Sequence, residues 1–249
     1  MAPVATPAIV LATLRYGDTS KIVRLATRDL GVQSAIAKGA FRPKSSFGAA
    51  LQVLSDGMAQ LYIKEGRELQ TLGKFDLTRL RVELAGDLDR YAAANALAEV
   101  MLRCAPAAPH PAAFDLLQNG LDALSIADRI ALDVVSLRLL WQLVGELGFS
   151  PALEVCAKCG APLDLSGGLA FSPLDGGALC VHCARGRPVS RLPAEDADAL
   201  RRLVTGEGDL PVLGAKHSAA HRRLLARWVR EHLGEGAPLP ALEYWQSRA

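Results

Sequence analysis

The hydrophobic period of this chain changes once, at Phe75, and that change restricts the fold more than any other feature. Before it, apolar residues come in short runs broken by turn residues: Ala8–Leu14, Ser20–Thr27, Gly31–Lys38, Leu51–Ile63 and Glu68–Phe75. Within Met58–Lys64, the residues Ala59, Leu61 and Ile63 alternate with Met58, Gln60, Tyr62 and Lys64, the period of a strand with one dry face. Tyr16-Gly17-Asp18, Arg28-Asp29-Leu30-Gly31 and Lys64-Glu65-Gly66-Arg67 supply hairpin-type turns. Five short antiparallel strands in roughly 70 residues predict a small closed barrel of the OB type, and an SH3-like barrel gives much the same pattern.

After Phe75 the chain is rich in Ala and Leu at helical spacing. One helix is expected over Arg81–Cys104, ended by the proline-rich Ala105–Pro111, and a second near Ala112–Leu124. Ile130, Val134, Leu137, Trp141 and Val144 line one face of a buried central helix. Pro193–Val204 and Lys216–Leu233 make two more. The expected class is therefore α+β, with a barrel domain over residues 1–80 and a helical domain over 81–249.

Four of the five cysteines stand as two pairs, Cys156-Ala-Lys-Cys159 and Cys180-Val-His-Cys183, inside the helical region; Cys104 stands alone. Two such knuckles supply a tetrahedral four-thiolate shell for one Zn²⁺, so a zinc module is expected over residues 152–187. With four thiolates no position is left for water, which makes the metal structural rather than catalytic. His182 lies between two ligands and is read as a bystander. A redox role for either Cys-x-x-Cys is the competing reading, and the matched pairs argue against it. Cys104, at the end of an Ala/Leu-rich helix, is read as a small buried side chain.

The net charge of +2 conceals an uneven distribution: residues 1–80 carry 11 Lys/Arg against 6 Asp/Glu, and residues 81–249 carry 17 against 20. The basic excess is densest in Lys38-Gly39-Ala40-Phe41-Arg42-Pro43-Lys44-Ser45-Ser46-Phe47-Gly48, a Pro/Gly-framed loop with three cations and two aromatics. Lys38, Arg42 and Lys44 can neutralise phosphates, the Ser45 hydroxyl can donate to one, and Phe41 or Phe47 can stack on bases. Lys21, Arg24 and Arg28 add charge on a neighbouring strand. The competing reading is a solvated basic loop with its phenylalanines tucked into the barrel. On the last long helix, Arg223, Arg227 and Arg230 share a face opposite Leu224, Leu225, Trp228 and Leu233; this is a solvated face or a meeting place for an acidic partner or nucleic acid.

Several catalytic patterns are missing: no His-x-Glu precedes a Pro-Cys-x-x-Cys, and there is no His-Glu-x-x-His, no phosphate-binding Gly-x-x-x-x-Gly-Lys-Ser/Thr and no Gly-x-Gly-x-x-Gly. The start Met1–Pro7 carries no cation before Ala8–Leu14, unlike a signal peptide, and no uncharged stretch approaches the ~18 residues of a membrane span. A cytoplasmic protein without a membrane partner is expected.

The order of these features resembles the RecO family of bacterial DNA repair proteins over essentially the whole chain. The residues that carry the resemblance are Tyr16-Gly17-Asp18-Thr19-Ser20, the loop Gly39…Lys44-Ser45 followed by Gly48-Ala49-Ala50-Leu51, and Cys156–Gly160 after Leu147-Gly148-Phe149. The resemblance implies an N-terminal OB-fold, a helical domain and, in many members, a zinc module; members without the cysteines agree with a structural metal. It also implies a recombination mediator of the RecF pathway without a catalytic group, associated with the nucleoid. Such a mediator binds single- and double-stranded DNA, anneals complementary strands, and works with RecR and the C-terminal tail of the single-strand-binding protein to help load RecA. The expected DNA-binding set is Lys21, Arg24, Lys38, Phe41, Arg42, Lys44 and Ser45, and the expected metal ligands are the four paired cysteines. Two other classes compete: a zinc-dependent enzyme acting on nucleic acid, and an adaptor that touches only proteins.

Overall fold

Five strands, β1 (Val4–Tyr16), β2 (Ser20–Thr27), β3 (Gly31–Ala37), β4 (Asp56–Tyr62) and β5 (Leu69–Arg79), close into a barrel in the order β1-β2-β3-β5-β4. All neighbours are antiparallel except β3 and β5, whose parallel pairing Ser34↔Leu69 to Ala37↔Leu72 gives the barrel its OB-like topology. The computed structural model describes residues 2–106, 108–233 and 238–248, and the chain divides into two compact units, Met1–Ile126 and Ala127–Ala249.

The barrel interior is built from Val10, Val23, Leu25, Ala35, Ala37, Ala59, Leu61, Leu72 and Phe75. The alternation expected for Met58–Lys64 holds, with Ala59 and Leu61 fully buried and Met58 and Tyr62 exposed. β1 is longer than its apolar run because it serves two partners: Val4–Ile9 pair with β4, and Ala8–Tyr16 pair with β2 across a register shift between Val10 and Ala12. The strand expected from Leu51 begins only at Asp56. Leu54 sits at φ 70°, a left-handed conformation that ends any ladder, and its N–H donates to the Val10 carbonyl instead (2.8 Å).

The first unit also contains α1 (Val82–Ala85), α2 (Leu88–Cys104) and α3 (Pro111–Ile126). The single helix expected over Arg81–Cys104 is interrupted at Gly86 and Asp87. The Asp87 carboxylate accepts from the Asp89 and Arg90 N–H groups (2.9 and 3.1 Å), so it caps a new helix instead of continuing the old one. Within the proline-rich stretch that follows α2, Ala107 lies outside the described residues. Arg81 joins barrel and helices. Only 4% exposed, it donates to Asp56 (2.6 and 2.8 Å), to the Leu54 carbonyl (3.0 Å) and to Asp122 of α3 (2.7 Å), while Gln118 supplies Asp56 with a further donor (3.0 Å). Composition changes after Phe75 and the domain boundary is expected at residue 80, yet α1 to α3 cluster with the barrel.

The second unit comprises α4 (Leu132–Val144), a wide helical turn over Gly145–Phe149, a sheet of β6 (Leu169–Ser172), β7 (Gly177–Leu179) and β8 (Ser190–Leu192) in the order β7-β6-β8, and α5 (Ala194–Thr205), α6 (Ala215–Leu233) and α7 (Pro240–Ser247). Ile130, expected on the buried face of α4, is 97% exposed and precedes the helix; Val134, Leu137, Trp141 and Val144 are buried as expected. Trp228 of α6 packs on Trp141 and on Phe171 of β6 (centroids 6.0 and 5.4 Å apart), and its indole N–H donates to the Phe149 carbonyl (2.9 Å). Helix α7 is not expected from the sequence pattern. It buries Trp245, whose ring lies under the buried Arg222 guanidinium at 4.9 Å and whose N–H donates to Ser136 (3.2 Å).

Candidate functional site

Each cysteine pair sits on a tight turn closed by a backbone bond from the residue after the pair: Gly160 N–H to the Cys156 carbonyl (2.8 Å) and Ala184 N–H to the Cys180 carbonyl (2.9 Å). The first knuckle is anchored on a bridge between Val155 and Pro162 and by the Ala157 N–H donating to the Ala178 carbonyl of β7 (2.8 Å). The second follows β7 directly. The sheet thereby brings all four sulfurs within 4.8 Å of one another, with Cys159 and Cys180 Sγ 3.9 Å apart. A tetrahedral ion with metal–sulfur bonds of about 2.3 Å sets its sulfurs about 3.8 Å apart, so the four thiols fit one Zn²⁺-sized cation. Burial raises the Cys156 thiol, but backbone N–H groups around the knuckles more than offset this and hold it at about 6, whereas hydrogen bonding with Cys180 pushes Cys183 up to about 12.

On the barrel, the 38–48 loop divides its residues by depth. Ala40 and Phe47 join the core, with Phe47 only 4% exposed, so Phe47 cannot stack on a base. Phe41 is 46% exposed, and Lys38, Arg42 and Lys44 are exposed with it. The Ser45 hydroxyl accepts from the Phe47 N–H (3.2 Å), which shapes the turn and leaves its own proton to donate. Two bonds tie the loop to the β1–β2 turn: Phe41 N–H to the Thr19 carbonyl (2.9 Å) and Gly39 N–H to Ser20 Oγ (3.4 Å).

The strand residues separate by pleat. Lys21 lies on the face of β2 that carries Val23 and Leu25 inward, beyond the core at the barrel's end, and its ammonium group is 5.2 Å from the Phe41 centroid. Arg24 projects from the opposite face, exposed. Arg28 is committed to a two-pronged ion pair with Asp115 (2.8 and 2.9 Å), whose hydrogen bonds hold the Asp115 carboxyl below its ordinary value. Sequence reasoning missed Arg15, whose guanidinium carbon lies 5.5 Å from the same Phe41 centroid. The ladder position opposite Lys21 is the signal that finds it.

In the second unit, Arg223, Arg227 and Arg230 are exposed on α6, opposite the buried Leu224, Leu225, Trp228 and Leu233. Arg223 and Arg227 line a cavity of ≈ 270 Å³ with Arg191 and Leu192 of β8. The carboxylate in that cavity, Asp196, is held by His217 (2.8 Å) and His221 (3.2 Å). Cys104 is half-buried, and burial pushes its thiol up to about 12, which makes it inert. No helix among the described residues is long and apolar enough to cross a membrane.

Known proteins are similar to this chain along most of its length. The family model for the N-terminal part of recombination protein O matches residues 1–81, and the model for its C-terminal part matches residues 85–242. A DNA repair protein RecO from Rubrobacter xylanophilus is 34% identical over 235 residues, which is 92% of this chain and 90% of that protein. The corresponding protein of Anaeromyxobacter dehalogenans is 34% identical and covers 91% of the chain and 90% of its own length. One from a Nocardioides species is 33% identical, covering 92% and 94%.

Proposed function

The chain belongs to the RecO family of DNA repair proteins, and on that premise we propose that it is a recombination mediator that binds single- and double-stranded DNA and anneals complementary strands. The observation that carries the reading is the barrel loop: Lys38, Arg42 and Lys44 stand exposed beside a half-exposed Phe41. Annealing needs no catalytic group, because the duplex that forms supplies the free energy. It needs phosphate repulsion reduced and two strands held close, which a basic barrel surface does. DNA binding is assigned to the barrel of residues 1–80, through Lys21, Arg24, Lys38, Phe41, Arg42, Lys44 and Ser45.

The helical domain of residues 81–249 carries one structural Zn²⁺ on Cys156, Cys159, Cys180 and Cys183, in a module over residues 152–187. Held by four thiolates, the ion crosslinks the two knuckles and performs no chemistry on a substrate. RecR and the C-terminal tail of the single-strand-binding protein are its protein partners, and RecA loading follows through them. Its place of action is the cytoplasm, at the nucleoid.

Replacing Lys38, Arg42 and Lys44 by Ala tests the reading in a salt titration with a labelled single strand. Affinity falls for many sequences alike, and the dependence of log K on log salt flattens by ~0.7–0.9 for each phosphate that is no longer neutralised. An unchanged affinity and slope would falsify the loop assignment.

A further inference from the structure

Arg15 and Lys21 stand directly opposite each other in the β1–β2 ladder, so two cations share one face of an antiparallel pair. Like charges in that position weaken the pairing unless something offsets them. Among the described residues no carboxylate makes an ion pair with either. Carbonyl groups orient them without neutralising them: Arg15 Nε donates to Gly17 (3.3 Å) and Lys21 Nζ to Leu51 (3.4 Å). The ring of Phe41 lies within reach of both, at 5.5 Å from the guanidinium and 5.2 Å from the ammonium. Its negative π-face attracts each cation and so eases their mutual repulsion while removing no charge. The main-chain bond from Phe41 to Thr19 holds the loop backbone against the hairpin end that carries both cations.

We propose that Arg15, Lys21 and Phe41 form a preassembled seat for the phosphodiester backbone of a bound strand, in which Phe41 positions the two cations instead of stacking on a base. The proposal rests on the reading of the barrel as a DNA-binding surface and gives that surface a division of labour. A carboxylate would have satisfied the pair permanently; an aromatic ring holds it together and leaves two positive charges for an incoming anion. The Arg15 fork can take two phosphate oxygens, and Lys21 acts as a point charge beside it.

Two probes separate positioning from stacking: a labelled single-stranded oligonucleotide, and an abasic strand of the same length that keeps the backbone and lacks the bases. Each is titrated against the full chain by fluorescence anisotropy over a range of salt, with thermal melting to verify that each variant is folded. Arg15→Ala is expected to weaken both probes alike and to lower the salt slope by about 0.7, with Arg15→Lys restoring the slope. Phe41→Leu, which keeps an apolar side chain and loses the π-face, is expected to weaken both probes by the same factor. If Phe41→Leu weakens only the base-bearing probe, by the roughly 5-fold to 150-fold that removal of one stacked base implies, Phe41 is a stacking platform and the proposal fails. It fails equally if Arg15→Ala leaves the slope intact. Failure of the unsubstituted chain to bind either probe overturns the DNA-binding reading itself, and this site with it; intact binding in every variant overturns the site alone.

Discussion

Arg81 is a single residue on which two parts of the first unit depend. Its guanidinium is nearly inaccessible and faces two carboxylates and a carbonyl, and Asp56, 4% exposed, relies on it for neutralisation. Removing one partner of a buried pair leaves the other charge unpaired, at about 3–5 kcal/mol. Arg81→Ala should therefore lower the unfolding free energy of the first unit by that amount in a denaturant titration, and Arg81→Lys should recover only part of it, since an ammonium cannot reproduce the fork. A loss below about 1 kcal/mol, the scale of an exposed pair, would show that the network is not buried in solution. Residue chemistry was legible in the sequence where the residue type alone decides it, as with four thiols. It was not legible for Phe41 and Phe47, six positions apart in one loop, because nothing local distinguishes the ring that plugs the barrel from the one left half-exposed. The opposite projections of Lys21 and Arg24 follow from strand pleat, and were readable once the strand was assigned.

At the scale of elements, the four-cysteine module is held by short β-structure and thiols rather than by a large apolar core; its buried cluster is centred on Cys156, Leu179 and Ala184. Protein purified without chelator is expected to contain about one Zn²⁺ per chain by elemental analysis, and Cys156→Ser with Cys159→Ser to lose the metal and melt at lower temperature. Because thiolates must be deprotonated to bind, metal release should increase as pH falls. A metal-free protein with unaltered melting would remove the structural role. Gly177 gives a second test of the same module. Its φ is 138°, and a Cβ there would stand 2.3 Å from the Ala152 carbonyl oxygen, where the segment leading to the first knuckle crosses β7. Gly177→Ala should destabilise the module by about 1–3 kcal/mol and lower its zinc retention under chelator challenge. The elements themselves were mostly visible in their periodicity. The exceptions have local causes: a left-handed Leu54 delays β4, an Asp87 cap splits the first helix, and α7 is too short for its pattern to register.

For the whole molecule, His221 and three carboxylates give stability one direction on the acid side of neutrality. Burial holds His221 below its usual 6.5, against the pull of Asp196, with His217 on the other side of the same carboxylate. A histidine with a depressed folded pKa contributes stability that is complete above 6.5 and is lost as pH falls through the folded value. Asp115, Asp164 and Asp175 are each lowered from 3.8, by hydrogen bonds from Arg28, Ser166 and Ser172 respectively, so their contribution is present above 3.8 and lost below it. Denaturation midpoints should therefore hold level from about pH 6.5 up to about pH 9, where the half-buried Cys104 thiol begins to oppose ionisation, decline on the acid side first as His221 must be protonated, and decline again below about pH 4. His221→Gln should remove the first decline and keep the second; retention of both would assign the first to another group.

Residue type, spacing and period along the chain carry the class of each half, the paired thiols, the basic character of the barrel loop and the family. Chain closure sets the rest: β3 and β5 pair in parallel to complete the barrel, α1 to α3 cluster with it, Phe47 is core while Phe41 is not, and Arg15 and Lys21 both come within reach of the Phe41 ring. The physical reason is range. Periodicity records which face of an element is dry, but not which distant element will dry it or which charges closure will set side by side.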